Sequence, residues 1–450
     1  METNLTIGKP ARTITLFALP IIAGNVFQQV YNLVDNAVVG RCVNYQALAG
    51  VGITNGLTFL VLGFVIGITS GFGIKMAQCY GEGNIERFRR SFATSLVLSA
   101  TIGLLLTGAA TSLAGPLLRL IGTGNEIMPY AHRYVLVLFG GTLAPMAYNM
   151  IACALRAIGD SRTPLWTLIF SSVLNVGLDL LMVARLGMGV AGAAWATIIA
   201  QGVSALLCFA YAWRKYPILR LRWSDIQCWR TDAKAHLGIG VPMALQFSVT
   251  AIGLIMLQAA LNSFPATYIA GFTAANKIQN IGALVAMSFG TAIATYAGQN
   301  YGAGNIKRIE QGVRSVLVIE AVVCVVASAI LLLIPDQLTS VFVNQEATDA
   351  AGVTEIFMAS RKYLFTSAVF FPFLYLIFVY RNVLQGMGRT FWPLMAGFLE
   401  LALRAAGSLW LPPRFGYNGI IVIDIIAWIG AAVMLVIAYL AAMPAIRRGR

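Results

Sequence analysis

Tyr80-Gly81-Glu82-Gly83-Asn84-Ile85-Glu86-Arg87 and Tyr301-Gly302-Ala303-Gly304-Asn305-Ile306-Lys307-Arg308 are two copies of one eight-residue cassette. They are identical at six positions and lie 221 residues apart in a chain of 450. A second set of matches runs at a spacing of 229: Leu155, Gly159 and Pro164 recur as Leu384, Gly388 and Pro393, and Arg133-Tyr134 recurs as Lys362-Tyr363. The chain is an internal duplication, and the difference between the two spacings marks an insertion, placed in the polar stretch from Pro335 to Glu355. Duplication within a hydrophobic chain is the signature of folds whose binding sites lie between repeats.

Composition sets the solvent. With 58% hydrophobic and 11% charged residues and a mean hydropathy of +0.78, the chain has too little polar surface for a soluble globule of this size. Runs of roughly 20 or more mostly apolar residues, long enough to cross a bilayer, predict helices near 12–37, 48–75, 91–113, 129–156, 162–186, 188–213, 236–262, 269–297, 310–334, 358–384, 390–412 and 416–443. The expected fold is all-α and polytopic, with twelve transmembrane helices in two pseudo-symmetric six-helix bundles: an N-terminal lobe over 1–213, a linker over 214–235 and a C-terminal lobe over 236–450. Alternating ten-residue strands are absent, which excludes a barrel. Pro20, Pro145, Pro242 and Pro372 fall inside the predicted spans, where neighbouring helices can repair the lost backbone bonds. No cleavable signal is evident, because the first apolar run continues into a helix carrying Asp35.

Most of the 31 basic residues lie on one side of the predicted membrane; Arg41, Arg119, Arg133, Arg185, Arg361, Lys362 and Arg414 lie on the other. The positive-inside rule then puts both termini in the cytoplasm of a multi-pass protein of the cell (inner) membrane. The net charge of +14 expresses this bias and attraction to anionic headgroups, not nucleic-acid binding: the basic stretch from Arg214 to Arg230 is short and joins the two halves. The six cysteines have no paired spacing, and His132 and His236 belong to no metal-ligand pattern and are expected to be interfacial side chains. No nucleophile, metal or paired-acid motif of an enzyme is present, so no catalytic residue and no cofactor is expected.

Charge inside a span is costly and marks function by default. The candidates are Asp35, Asp179, Lys277, Glu320, Glu400, Arg404 and Asp424. The first and fifth spans run outward and the sixth returns, so Asp35, Asp179 and Thr197 share a depth in the outer half, and Asn175 lies one turn below Asp179 on the same face. Two carboxylates, an amide and a hydroxyl form an oxygen-only set suited to Na⁺ or H⁺ and unsuited to a soft metal. The repeat is an internal control. Asp35 corresponds to Met256, and Asn175 and Asp179 correspond to Arg404 and Ser408, so the oxygen cluster exists in one half alone. The other half carries Glu400 and Arg404 at i,i+4, with Lys277 and Asp424 nearby, as a mutually neutralised network, either a structural ion pair or a contributor to substrate binding or coupling.

The triplet Ala18-Leu19-Pro20, the helix end from Gln28 to Arg41, the repeated YGxGN, the stretch Leu155 to Pro164 and the segment Leu174 to Thr197 together resemble the multidrug and toxic compound extrusion (MATE) exporters of the MOP flippase superfamily. The resemblance covers essentially the whole chain. It implies two six-helix bundles around a V-shaped central cavity and export of organic, often cationic and amphipathic compounds, coupled to entry of Na⁺ or H⁺. In family branches with an N-lobe cation site, its residues carry over onto Asp35, Asn175, Asp179 and Thr197. Other branches place an essential acid in helix 7, where this chain has Gln246 and Gln258 and no carboxylate. Pro20 matches the helix 1 proline whose bend the family is thought to use, and a packing kink is equally compatible.

The mechanism implied is alternating access, in which the coupling cation must bind one state better than the other, since equal affinity shifts nothing. The expected partners are small-molecule substrates and the lipid bilayer, with the chain acting as a monomer. The alternative is a flippase for a lipid-linked or other amphipathic precursor. It would want a cationic cavity for pyrophosphate, and Lys277 and Arg404 are the bases deep within the predicted spans.

Overall fold

Helix is the only regular structure among the described residues of the computed structural model, which are 4–43, 45–343 and 350–448. Twelve spans follow in chain order: α1 Pro10–Cys42, α2 Asn55–Gly81, α3 Ile85–Leu120, α4 Met128–Gly140 with Leu143–Ala157, α5 Arg162–Asp179, α6 Val190–Lys215, α7 Trp229–Leu261, α8 Ala266–Gly302, α9 Ile306–Leu333, α10 Ala350–Gly386, α11 Phe391–Phe415 and α12 Tyr417–Arg448. Each predicted span has its helix, six in each half.

Two spans predicted as unbroken are broken. Within 48–75 the backbone turns at Thr54, whose N–H and Oγ1 both bond back to the Val51 carbonyl at 3.2 and 2.7 Å; a short helix Tyr45–Ile53 precedes α2. Within 129–156 the two parts of α4 meet at 47°. Gly141 sits at this bend because a Cβ there would lie 2.3 Å from the Ile198 side chain. Hydropathy registers apolar composition and is blind to both interruptions, since the residues at them are themselves apolar or small. The ends of several helices also run past the predicted bounds: α7 begins at Trp229 and α8 ends at Gly302, where the chain becomes too polar for a hydropathy window yet keeps its backbone bonds.

The cassette explains itself locally. Gly83 and Gly304, at φ +72° and +75°, supply the left-handed turn that ends α2 and α8, a conformation cheap only for glycine. Asn84 then caps α3 by accepting a hydrogen bond from the Arg87 N–H at 3.0 Å. The expected insertion lies between α9 and α10: the link is 121–127 in the first half and 334–349 in the second, with a short helix Pro335–Ser340. Residues 344–349 of that stretch lie outside the described residues.

Small residues bring the halves together. Gly67 and Gly71 on α2 face Ala244 and Gly240 on α7 so closely that a Cβ would fall 2.6 and 2.4 Å from their Cα atoms, the close approach by which membrane helices gain van der Waals contact. The core of the C-terminal half also contains Leu5, Ile14, Phe17 and Ala18, so the start of the chain is packed into the opposite half. The Leu5 and Ile7 carbonyls accept hydrogen bonds from Asn300 and Arg308, and Arg447 bonds Glu310 at 2.8 Å. Both ends of the described chain therefore lie at the end of the molecule that carries the cassettes.

Candidate functional site in the N-terminal half

Four residues singled out in the sequence, on three helices, meet in the half of the N-terminal bundle away from the cassettes. Asp35 comes from α1, Asn175 and Asp179 from α5, and Thr197 from α6. Asp179 is fully buried, and Asn175 and Asp35 are 2% and 8% exposed. The two carboxyls are neighbours, within reach of a shared proton. Among the described residues, Asp35 Oδ1, both oxygens of Asp179 and both amide atoms of Asn175 are buried without a hydrogen-bond partner. Among the described residues no basic side chain pairs with either aspartate. Thr197 donates its hydroxyl proton to the Ala193 carbonyl at 3.1 Å, leaving its oxygen lone pairs free. Asn175 and Thr197 line a cavity of about 10 Å³ with Tyr31, Ser171, Ser172 and Gln201, room for about one water-sized guest.

Unpaired buried polar atoms cost roughly 1–3 kcal/mol each, more when charged. A proton shared between the carboxyls, or a small cation bound among these oxygens, would satisfy the group. The donor set fits a small hard cation: carboxylate, amide and hydroxyl oxygens, with no sulfur or imidazole. Directly after Asp179 the helix widens into a π-helical stretch, Leu180–Arg185, a distortion found often at functional sites. Sequence reasoning passed over Tyr31 and Tyr134, which stand in the field of both aspartates, and Gln201, whose buried Oε1 also lacks a partner. Tyr134 carried a signal, since it was one of the residues repeated at 229, as Tyr363.

The C-terminal half is built differently. Arg404 Nε bonds Asp424 Oδ1 at 2.9 Å, and its Nη1 reaches Glu400 Oε2 at 3.3 Å; all three residues are 4% exposed. Glu400 also pairs with Arg381 of α10, which sequence reasoning did not include because it falls close to the end of its span. The quartet is neutral, two bases against two acids. Lys277 is not joined to it: its Nζ lies 5.7 Å from the centre of the Phe342 ring, so its place in the expected network belongs to Arg381. Glu320, on α9, is buried with both oxygens unpartnered among the described residues. His236 is not an interfacial side chain but a buried one, its ring nitrogens 2.8 Å from Ser91 Oγ and 2.9 Å from the Asp232 carbonyl.

The Leu155 to Pro164 stretch is structural. Asp160 accepts from the Arg162 and Thr163 N–H groups, each at 3.0 Å, and from the Thr163 and Tyr216 hydroxyls, each at 2.6 Å. Burial alone would raise its carboxyl above the ordinary range, but these bonds outweigh it and hold it below.

A duplicated twelve-helix membrane fold with a polar, acid-bearing site in one half and a neutralised quartet in the other defines a class of transporter-like membrane proteins. The MatE family model matches residues 20–181 and 242–410, one match in each half, and the chain belongs to that family. It is similar to the probable multidrug resistance protein YpnP of Bacillus subtilis, 29% identical over 385 residues that cover 86% of this chain and 84% of that one. The probable multidrug resistance protein NorM of Thermotoga maritima is 27% identical over 389 residues, covering 85% and 82%. Among solved structures, an outward-facing multidrug resistance MATE family transporter of the MOP superfamily superposes with a TM-score of 0.90 over 99% of this chain and 98% of that one, at 23% identity, a likeness of fold.

Proposed function

We propose that this chain is a secondary active exporter that moves organic, often cationic and amphipathic compounds out of the cell by alternating access, in exchange for Na⁺ or H⁺. The observation that carries the proposal is the pair Asp35 and Asp179, neighbouring carboxyls with orphaned oxygens and no basic partner among the described residues. Cation or proton entry satisfies them, and since Asp35 and Asp179 sit on different helices, the bound cation stabilises the arrangement that brings α1 against α5 over one that separates them. The names of the relatives support small-molecule drugs as substrates, and the bias of basic residues supports cytoplasmic termini in a cell membrane. In this proposal the lobes are 1–213 and 236–450, acting as a monomer, and Asn175 and Thr197 complete the cation's oxygen shell.

The test is substrate efflux from proteoliposomes with Na⁺ and pH gradients imposed separately. One gradient should drive efflux, and Asp35→Asn or Asp179→Asn should abolish it while the protein still folds and inserts. Normal transport by both Asn variants removes these residues from coupling.

A further inference from the structure

The duplicated cassette has no part in the cation site, yet it lies where the two halves touch. Gly81 packs so tightly that a Cβ would fall 1.9 Å from the Gln299 carbonyl oxygen, and at Gly302 it would fall 2.0 Å from that of Gln78. Gly81 and Gly302 are equivalent at the 221 spacing, and so are Gln78 and Gln299. Their side chains then cross between halves. Gln78 Nε2 donates to the Gly386 carbonyl at 3.0 Å, and Gln299 Nε2 donates to the Ala157 carbonyl at 2.8 Å. Ala157 and Gly386 are equivalent at the 229 spacing, so each glutamine of one half grips the end of the corresponding helix, α4 or α10, in the other. The bonds are a single interaction made twice about a pseudo-twofold axis. That axis passes by Ala77 and Gly298, another equivalent pair, where a glycine Cβ would be 3.2 Å from the Ala77 methyl.

We propose that Gln78 and Gln299 are a reciprocal latch that holds the terminus-bearing end of the molecule shut and must release each time that end opens. The inference rests on alternating access. Both glutamines are buried, at 7% and 0% exposure, and the carbonyls they hold terminate helices, where the last carbonyls lack helical partners. Opening this end therefore trades paired polar groups for groups that water must rescue. Gln299 carries a second bond: its Oε1 accepts from the Leu5 N–H at 3.1 Å, which ties the start of the chain to the same latch. Gln299 is thus the stronger half.

The experiment uses the full chain with spin labels at Glu86 and Lys307, exposed and equivalent positions beside the gate, and reads the distance distribution in nanodiscs. Gln78→Leu and Gln299→Leu should each raise the separated fraction, roughly 2- to 13-fold per lost bond, with Gln299→Leu the larger. In a second arm, Ala77→Cys with Gly298→Cys, in a background lacking the native cysteines, is oxidised to a disulfide. Transport should stop and return on reduction. An unchanged distance distribution in folded Leu variants overturns the latch, as does undiminished transport by the cross-linked protein, which would make the contact a fixed pivot. If the Leu variants do not fold, the cross-link decides. If the chain exports nothing, the distance measurement still decides.

Discussion

Removing Arg404 should strand one particular partner, and the structure says which. Arg404 is bonded to both acids of the quartet, but Glu400 has a second base in Arg381, whereas Asp424 has no other base among the described residues. Arg404→Met therefore leaves Asp424 as a buried carboxylate without a counter-charge, and breaking a buried pair this way costs about 3–5 kcal/mol. Adding Asp424→Asn removes the stranded charge and leaves Arg381 and Glu400 paired, so this double variant should recover most of the loss. Adding Glu400→Gln does the opposite: it frees Arg381 while Asp424 stays unpaired, so two uncompensated charges remain. The expected order of stability is native, then Arg404→Met/Asp424→Asn, then Arg404→Met, then Arg404→Met/Glu400→Gln. The coupling energy between Arg404 and Asp424 should reach about 2 kcal/mol or more in a double-mutant cycle. Thermal unfolding in detergent, followed as the monodisperse fraction after heating, gives the order. Equal rescue by Asp424→Asn and Glu400→Gln would show that the quartet acts as a diffuse charge cloud and not through the bonds described. Ion-driven transport should survive in the Arg404→Met/Asp424→Asn variant; its loss there while Asp35 variants keep coupling would move the ion site to the C-terminal half.

Two further outcomes follow from buried carboxyls. Glu320→Leu should be neutral or stabilising, by about 1–3 kcal/mol, because it removes two buried oxygens that no described residue satisfies; a marked loss of stability would mean the carboxyl has a partner. Asp160, held below the ordinary carboxyl range by its hydrogen bonds, contributes stability that is fully present above the unfolded value of about 3.9 and is lost as pH falls through its lower folded value. Asp160→Asn should therefore flatten the acid limb of a stability profile measured on the purified protein and leave the alkaline limb alone; an unchanged acid limb would remove Asp160 from that role.

The number and order of the spans were legible because membrane helices announce themselves by apolar length, a property that survives without tertiary context. The bend in α4 was not: it depends on Gly141 meeting Ile198 of another helix, and a composition window holds no such information. The acids of the N-terminal site were legible for a related reason, since a charge in an apolar run stands out and depth can be counted along alternating helices. Tyr31 and Gln201 were hidden because an uncharged polar residue in a span is ordinary, and Tyr134 showed only as a repeat position. Arg381 was hidden by its position near a helix end, where snorkelling to water is the default expectation, and Lys277 was misgrouped because shared depth does not fix which way a helix face turns.

Duplication explains why the halves share a gate and differ in their site. A contact across the pseudo-twofold axis is made twice from one sequence, so the glycine and glutamine that close the terminus-bearing end are needed in both copies, and both copies keep them. A cation site gains nothing from the axis. As proposed above, it has to distinguish two states by differential affinity, and one asymmetric site suffices for that. The two features are joined mechanically by α1. Its C-terminal part carries Asp35, while its N-terminal part places Phe17 and Ala18 in the core of the opposite half, and the chain before it hangs Leu5 on Gln299. Pro20 lies between those anchorages, at a point in α1 where the ladder lacks one N–H donor. Any movement of Asp35 relative to the C-terminal half must be absorbed there or passed to the latch.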